Sequence, residues 1–385
     1  MKRILLTGGR APVALELARL FSRAGHVVLM AESVRWPLTR PSRAITRHYQ
    51  VPPPNRQPDA YVNALLEIIQ QEKIDFLLPT CEELFYVAHG YEQLAAHCHL
   101  FVEPLARLRP LHNKWHFVQR AQRYGLTVPP TRLLTNQADV WAIWQQADDL
   151  VFKPVYSRFA SQTIIRPQKR EIISSIKPTA QQPWVAQAFI DGQQLCTYTL
   201  AYKGRLVAHT AYPTEFTAGQ GATILFRHIE HPAAFKWVKT FVEHEQFTGQ
   251  IAFDFIETKD KHLFALECNP RATSGLHLLA QDADFSHSFF NPNRPLFTPS
   301  SAEPVMLATA MLLYGLPTIR SWDQFKQWAS YFGRSRSILF HRNDPLPALF
   351  QFVGVANFLW WSMKHRVTPL QASTFDIEWN GEEIQ

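Results

Sequence analysis

The sequence predicts an α/β protein. Its N-terminal part reads as a doubly wound parallel sheet, followed by an α+β portion and a helical, aromatic-rich C-terminal region. Three observations predict this. Short apolar runs alternate with helical segments from residue 3 to residue 80. Residues 250–269 alternate apolar and polar side chains on both sides of a polar turn. Beyond about residue 300 the spacing becomes helical and rich in Trp and Phe.

"RILLTGG" (3–9) is an apolar strand ending in a glycine turn, and "PVALELARLFSRAG" (12–25) is a helix with Pro12 at its first position and Gly25 at its end. "HVVLMAES" (26–33) is a second strand, "DAYVNALLEIIQQEKI" a helix and "DFLLPT" (75–80) a third, buried strand. This βαβ rhythm implies parallel pairing. "RPLHNKWHFVQRAQRYGLTVPPT" (109–131) reads as one helix stopped by Gly125 and Pro129-Pro130, and "LVFKPV" (150–155) as a strand leading into the polar loop "YSRFASQ". Residues 184–212 read as a strand, a turn and a hairpin around Lys203-Gly204. A glycine-bearing loop (213–223), a helix (233–246) and the 250–269 hairpin complete the pattern.

With 385 residues, two or three domains are expected. A hydrophobic share of 46% against 18% charged excludes a disordered chain. The formal charge of +7 is spread without a block of five basic residues, which favours a small anionic ligand over nucleic acid. Cys81, Cys98, Cys196 and Cys268 lie far apart with no C-x-x-C pair. That argues against a zinc site or a disulfide framework and points to a reducing cytoplasm. The apolar run in "MKRILLTGG" is too short for a signal peptide. "LPALFQFVGVANFLWWSM" (346–363) approaches the length of a membrane span, but Pro347, Gln351 and Asn357 interrupt it. A buried or docking helix is expected there, with membrane-surface contact as the alternative.

The chemistry concentrates in "FALECNPRATSGLH" (264–277). Glu267, Asn269 and Arg271 fall at alternate positions, with Phe264, Leu266 and Cys268 expected on the core side. A four-residue turn at 259–262 would set Asp254 opposite Glu267. Two carboxylates facing across a ladder repel, and a divalent cation removes the conflict. Asn269 adds a neutral oxygen, and an all-oxygen set favours Mg²⁺ over Zn²⁺. The alternative is a solvated hairpin face on which the acids never meet. Lys114 falls in a helix's first turn, where the dipole disfavours a cation unless an anion is near. Lys153, between Phe152 and Pro154, must snorkel or find a partner.

Asp254, then Glu267-x-Asn269-Pro270-Arg271, resembles the magnesium motif of the ATP-grasp superfamily, in the branch of carboxylate–amine ligases and the carbamoyl-phosphate synthase large chain. The resemblance covers about 1–290. It implies an N-terminal Rossmann-like domain (1–110), two α+β subdomains clasping ATP (111–190 with the lysines, 191–300 with the metal ligands) and a helical extension (301–385). It implies ATP and Mg²⁺ (or Mn²⁺) as cofactors, with Asp254, Glu267 and Asn269 as metal ligands and Lys114 and Lys153 on phosphate oxygens. "VAQAFIDGQ" resembles the adenine hinge, which places Gln187, Ala188, Phe189 and Ile190 there. Arg271 would stabilise an acylphosphate, with Lys153 as its catalytic companion. Gly219 and Gly221 in the 213–223 loop, and Arg227 beyond it, are candidates for carboxylate binding. Gln194 stands where the family carries an acid on the ribose, with Asp191 as a substitute. The loop after Lys153 lacks the family's glycines, leaving Arg158 as a candidate for phosphate.

The implied activity joins a small-molecule carboxylate to an amine at the expense of ATP, with a homodimer compatible and no nucleic acid involved. Two rivals remain. "TGGRAPVALELA" with Glu32 faintly resembles a dinucleotide fingerprint but lacks the G-x-G-x-x-G spacing. A non-catalytic nucleotide-binding or membrane-docking protein rests on the aromatic tail. No P-loop, G-x-S-x-G or H-E-x-x-H motif occurs.

Overall fold

The computed structural model describes residues 1–157, 162–218 and 222–384. Strands β1 (Arg3–Thr7), β2 (Val27–Glu32), β3 (Arg47–Gln50), β4 (Phe76–Leu78) and β5 (His99–Leu100) form a parallel sheet in the order β3-β2-β1-β4-β5. Helices α1 (Pro12–Arg23), α2 (Pro58–Glu72), α3 (Leu84–His89) and α4 (Tyr91–Ala95) connect them. Ile4, Leu5 and Leu6 are fully buried, as a central strand covered on both faces requires. The strand order reverses beside β1, so the loops after β1 and β4 open a crevice. Gly8 there has φ +76°, and a Cβ on it would lie 2.5 Å from Thr80 Oγ1, so only glycine lets the two loops approach.

The expected single helix over 109–123 is two helices, α5 (Leu105–His112) and α6 (Lys114–Arg123). Asn113 between them is extended and its side chain accepts the His116 N–H, an N-cap that starts α6 at Lys114. Strands β6 (Thr131–Leu134), β7 (Leu150–Pro154), β8 (Ile164–Ile165) and β9 (Trp184–Ala188) form an antiparallel sheet in the order β6-β9-β7-β8. Next come β10 (Gln193–Tyr202), β11 (Arg205–Pro213), the small pair β12 (Thr217–Ala218) and β13 (Ala222–Thr223), β14 (Leu225–Phe226), β15 (Gly249–Glu257) and β16 (Leu263–Asn269). A second antiparallel sheet runs β11-β10-β15-β16, and the helix Pro232–Glu245 lays Trp237 and Phe241 against Phe253.

Asp254 does pair with Glu267, but by a different route from the one expected. The turn holds five residues, 258–262, which alone would put Asp254 opposite Leu266. A β-bulge next to Asp254 inserts one residue and restores the carboxylate pairing. The same bulge changes the core face. Leu263, Ala265 and Cys268 are buried, whereas Phe264 and Leu266, expected in the core, are half-buried.

The C-terminal region is tied down at both ends. β17 (Val305–Met306) joins β14 and β18 (Arg336–Ser337) in a small sheet. Near the end of the chain Trp379 is fully buried, its ring 4.8 Å from Phe85 and 5.3 Å from Tyr156. Between them lies the helix Leu346–His365, and the buried helix expected there is not found: only 6% of its apolar window is buried.

Candidate active site

Four elements converge on the hairpin. β15 and β16 present Asp254 and Glu267 as direct neighbours, and the start of α6 brings the Lys114 ammonium to 3.4 Å from Glu267 Oε2. Lys114 also donates to the Ser157 carbonyl at 3.0 Å. From β7, Lys153 donates to Gln187 Oε1 on β9 at 2.9 Å, and Gln187 donates to Thr131 Oγ1 at 3.3 Å. Both lysines are buried.

Asn269 donates to Asp254 Oδ2 at 3.4 Å, and its own oxygen accepts from Arg271 at 3.2 Å. Arg271 also donates to Glu82 Oε1 at 2.9 Å, bridging from the end of β16 to the loop after β4. Three of its five N–H groups are therefore committed to Glu82, Asn269 and the Ala272 carbonyl.

The electrostatics are those of a site built around more charge than it can settle alone. Burial, assisted by the facing Glu267, pushes the Asp254 carboxyl up, although the Cys196 thiol bonds to it. Burial would also raise Glu267, but Lys114 and Lys153 overcome it and hold that carboxyl below its ordinary value. Burial and, less strongly, Lys114 lower Lys153 to about 8, against the pull of Glu267. Asp254, Glu267 and Asn269 are the donor set expected for Mg²⁺. Among the described residues no group of three His, Cys, Asp or Glu side chains clusters as a metal site, and the Asn269 amide turns its nitrogen to Asp254 and its oxygen to Arg271. Burial is the first cause of the raised Asp254, and the two facing carboxylates have the oxygen chemistry that such an ion takes.

Other expected residues are placed as follows. In the hinge, the Ala188 and Phe189 N–H groups donate to the carbonyls of Pro130 and Asp149, both at 2.8 Å, so these two residues have no free N–H for a base. Gln194 lies exposed on β10, opposite Ile256. Arg227 is half-exposed and paired with Glu215 at 2.6 Å, away from the carboxylate pair in sequence and in its contacts. Gly219, Gly221 and Arg158 lie outside the described residues. Sequence reasoning missed the side chains of Gln187, Asn113 and Glu82. Gln187 carried a signal, being a polar residue in the apolar run "WVAQAF". Glu82 carried none, because its partner Arg271 is remote in the chain.

With this geometry in place, the class follows. Residues 111–275 match the family model described as the ATP-grasp domain. Solved structures with the same fold extend the likeness through the N-terminal sheet. N5-carboxyaminoimidazole synthetase from Staphylococcus aureus is 13% identical, with a TM-score of 0.64 over 81% of this chain and 84% of that one. L-amino acid ligase from Bacillus licheniformis is 17% identical, with a TM-score of 0.59 over 73% and 70%. A biotin carboxylase complex from Campylobacter jejuni is 12% identical, with a TM-score of 0.58 over 76% and 73%. No curated protein sequence matches the chain.

Proposed function

We propose that the protein is an ATP-dependent carboxylate–amine ligase. The observation that carries this reading is the ladder pair Asp254–Glu267 with two buried lysines beside it. A sheet accepts such a pair at a cost, and a magnesium nucleotide is a ligand that satisfies both carboxylates and ammoniums together. The names of the structural neighbours, a ligase, a synthetase and a carboxylase, support the same class.

In this reading Lys114 and Lys153 hold phosphate oxygens, and Gln187 keeps Lys153 extended towards them. Asp254, Glu267 and Asn269 would hold Mg²⁺, which when bound neutralises the charge that builds on the transferring phosphoryl group. The γ-phosphoryl passes from ATP to the substrate carboxylate, giving ADP and an acylphosphate. The amine attacks the acyl carbon, phosphate leaves, and the amine's proton is released. Such transfer needs positioning and charge neutralisation more than covalent help. Arg271 keeps its place beside the acceptor end of the site while orienting Asn269. Arg227 would have to exchange its Glu215 partner to bind the substrate carboxylate.

The test is thermal stability with a non-hydrolysable ATP analogue, with and without Mg²⁺, on the wild type and Glu267→Gln. Magnesium-dependent stabilisation that the variant largely loses is expected, followed by ADP release in a screen of carboxylates with amines. A wild type that ignores the analogue but responds to NADH would overturn the reading. Nucleotide binding without ADP release from any pair would leave a non-catalytic binding protein.

A further inference from the structure

The helix Leu346–His365 leaves most of its apolar side chains uncovered, with Pro347 its one buried residue. Leu349, Phe352, Val353, Leu359, Trp360 and Met363 are exposed, Met363 to 73% and Leu349 to 68%. At 3.6 residues per turn these six fall within about 120° of arc, so they form one continuous apolar stripe. The half-buried side mixes the polar residues Gln351, Asn357, Ser362 and His365 with the aromatic rings of Phe350, Phe358 and Trp361. Gln351 bonds back to the Ala348 carbonyl, Ser362 donates to the Val367 carbonyl at 2.5 Å, and His365 stacks between Trp361 and Phe375, 4.8 Å from each. A helix of a water-soluble surface does the reverse.

The two ordinary explanations of a long apolar helix fail. A core helix would be buried, and a targeting sequence would lie near the N-terminus; this one is exposed and C-terminal. The stripe offers almost no hydrogen-bonding atom except the Trp360 indole, whereas a protein partner would be met with roughly one hydrogen bond per 100–200 Å².

The border of the stripe is cationic and aromatic. Arg342, Lys364 and Arg366 are exposed, and the one acid between residues 340 and 368, Asp344, is buried against Arg19 at 2.9 Å. Lys364 sits 4.9 Å over the Trp360 ring. Exposed Trp36 approaches Phe350 of the helix at 6.4 Å, with Arg35 and Arg40 lying 5.4 and 5.9 Å from its ring. Tryptophan with arginine and lysine around an apolar body is the composition of a membrane–water interface, and unopposed cations select anionic headgroups.

We propose that this helix docks the protein in the plane of an anionic phospholipid bilayer, with the outward stripe among the acyl chains and the opposite side, which carries all four uncharged or imidazole polar groups, towards the protein. A spanning orientation is disfavoured because Gln351, Asn357, Ser362 and His365 would then face lipid. The inference stands whether or not the ligase reading does.

The experiment is flotation of the full chain with phosphatidylcholine vesicles containing about one third phosphatidylglycerol, and with phosphatidylcholine alone. Wild type is expected to float with the anionic vesicles and about tenfold less with the neutral ones. The double variant Leu349→Glu/Phe352→Glu should lose about tenfold or more of that binding with its melting temperature unchanged. Lys364→Glu/Arg366→Glu should lose the preference for anionic lipid. Folded wild type that stays with the unbound fraction, or a double variant that floats equally well, overturns the proposal. So does a lipid-free dimer that the double variant dissolves, which would assign the stripe to a second copy of the chain. Resistance to alkaline extraction from the vesicles would also overturn it in favour of a span.

Discussion

The hairpin site and the C-terminal helix break the same rule in opposite directions. The site withdraws charge from water: Lys114 and Lys153 are buried and Asp254 and Glu267 half-buried, with Lys114 paired to Glu267. The helix exposes grease: its most apolar stripe is its most exposed one. Neither is a stable choice for the chain alone, since buried charge costs desolvation and exposed apolar area forfeits burial. The two proposals answer each in kind, with a magnesium nucleotide for the first and a lipid surface for the second. Side chains that satisfy themselves, such as Arg10 with Glu32 and Asp376, carry no such demand.

The comparison can be broken by measuring which side chains hold the fold and which do not. The largest effect on stability should come from neither region. Trp379→Ala removes a fully buried indole packed on Phe85 and Tyr156, and should cost about 3–5 kcal/mol in denaturant unfolding. A small loss would mean that the C-terminal segment does not brace the N-terminal sheet.

Lys153→Met should reduce ADP release by about 10²–10³-fold while leaving the unfolding midpoint unchanged or higher, because it removes a desolvated cation. The pH dependence follows from the lysine's lowered pKa. The folded state gives up this proton at about 8, whereas the unfolded chain keeps it to about 10.4. Lysine-dependent nucleotide affinity should therefore fall as pH rises through 8, while the lysine's cost to stability disappears over that same window. Affinity that is flat between pH 7 and 9, measured by titration calorimetry, would remove Lys153 from the phosphate site.

Asp254→Asn should stabilise the metal-free protein by on the order of 1 kcal/mol at neutral pH. The folded-state pKa of Asp254 is raised, so stability is lost as pH climbs from the unfolded value towards the folded one. The gain in the variant should vanish below about pH 4, where the unfolded carboxyl is also protonated. The same variant should lose the magnesium-dependent thermal shift. Smallest of all, Leu349→Gln should change stability by no more than about 0.5 kcal/mol, as expected of a surface position. A loss of several kcal/mol would show that the stripe is covered within the folded chain.

Much of the site was legible because its residues announce themselves locally. Two lysines in apolar or helix-starting contexts and the Glu267-x-Asn269-Pro270-Arg271 order are visible in single windows. The Asp254–Glu267 pairing was anticipated from an assumed turn, and the pair forms because a bulge offsets a longer one. No local pattern distinguishes those two routes, since turn length and bulge trade residue for residue. The break at Asn113 had a readable signal, an N-cap residue directly before Lys114, masked by continuous helical spacing on both sides.

The sequence by itself determined the βαβ rhythm behind the parallel N-terminal sheet and the two strands of the 250–269 hairpin with an acid on each. These follow from periodicity and local residue type, which act over a few neighbours. Only the tertiary structure decided that Gln187 holds Lys153, that Glu82 holds Arg271, and that Trp379 closes against Phe85 of α3. It also decided which side of the 346–365 helix faces out. Composition sets how apolar a helix is, but the rest of the fold decides which residues of it are covered, and here it leaves the stripe from Leu349 to Met363 uncovered.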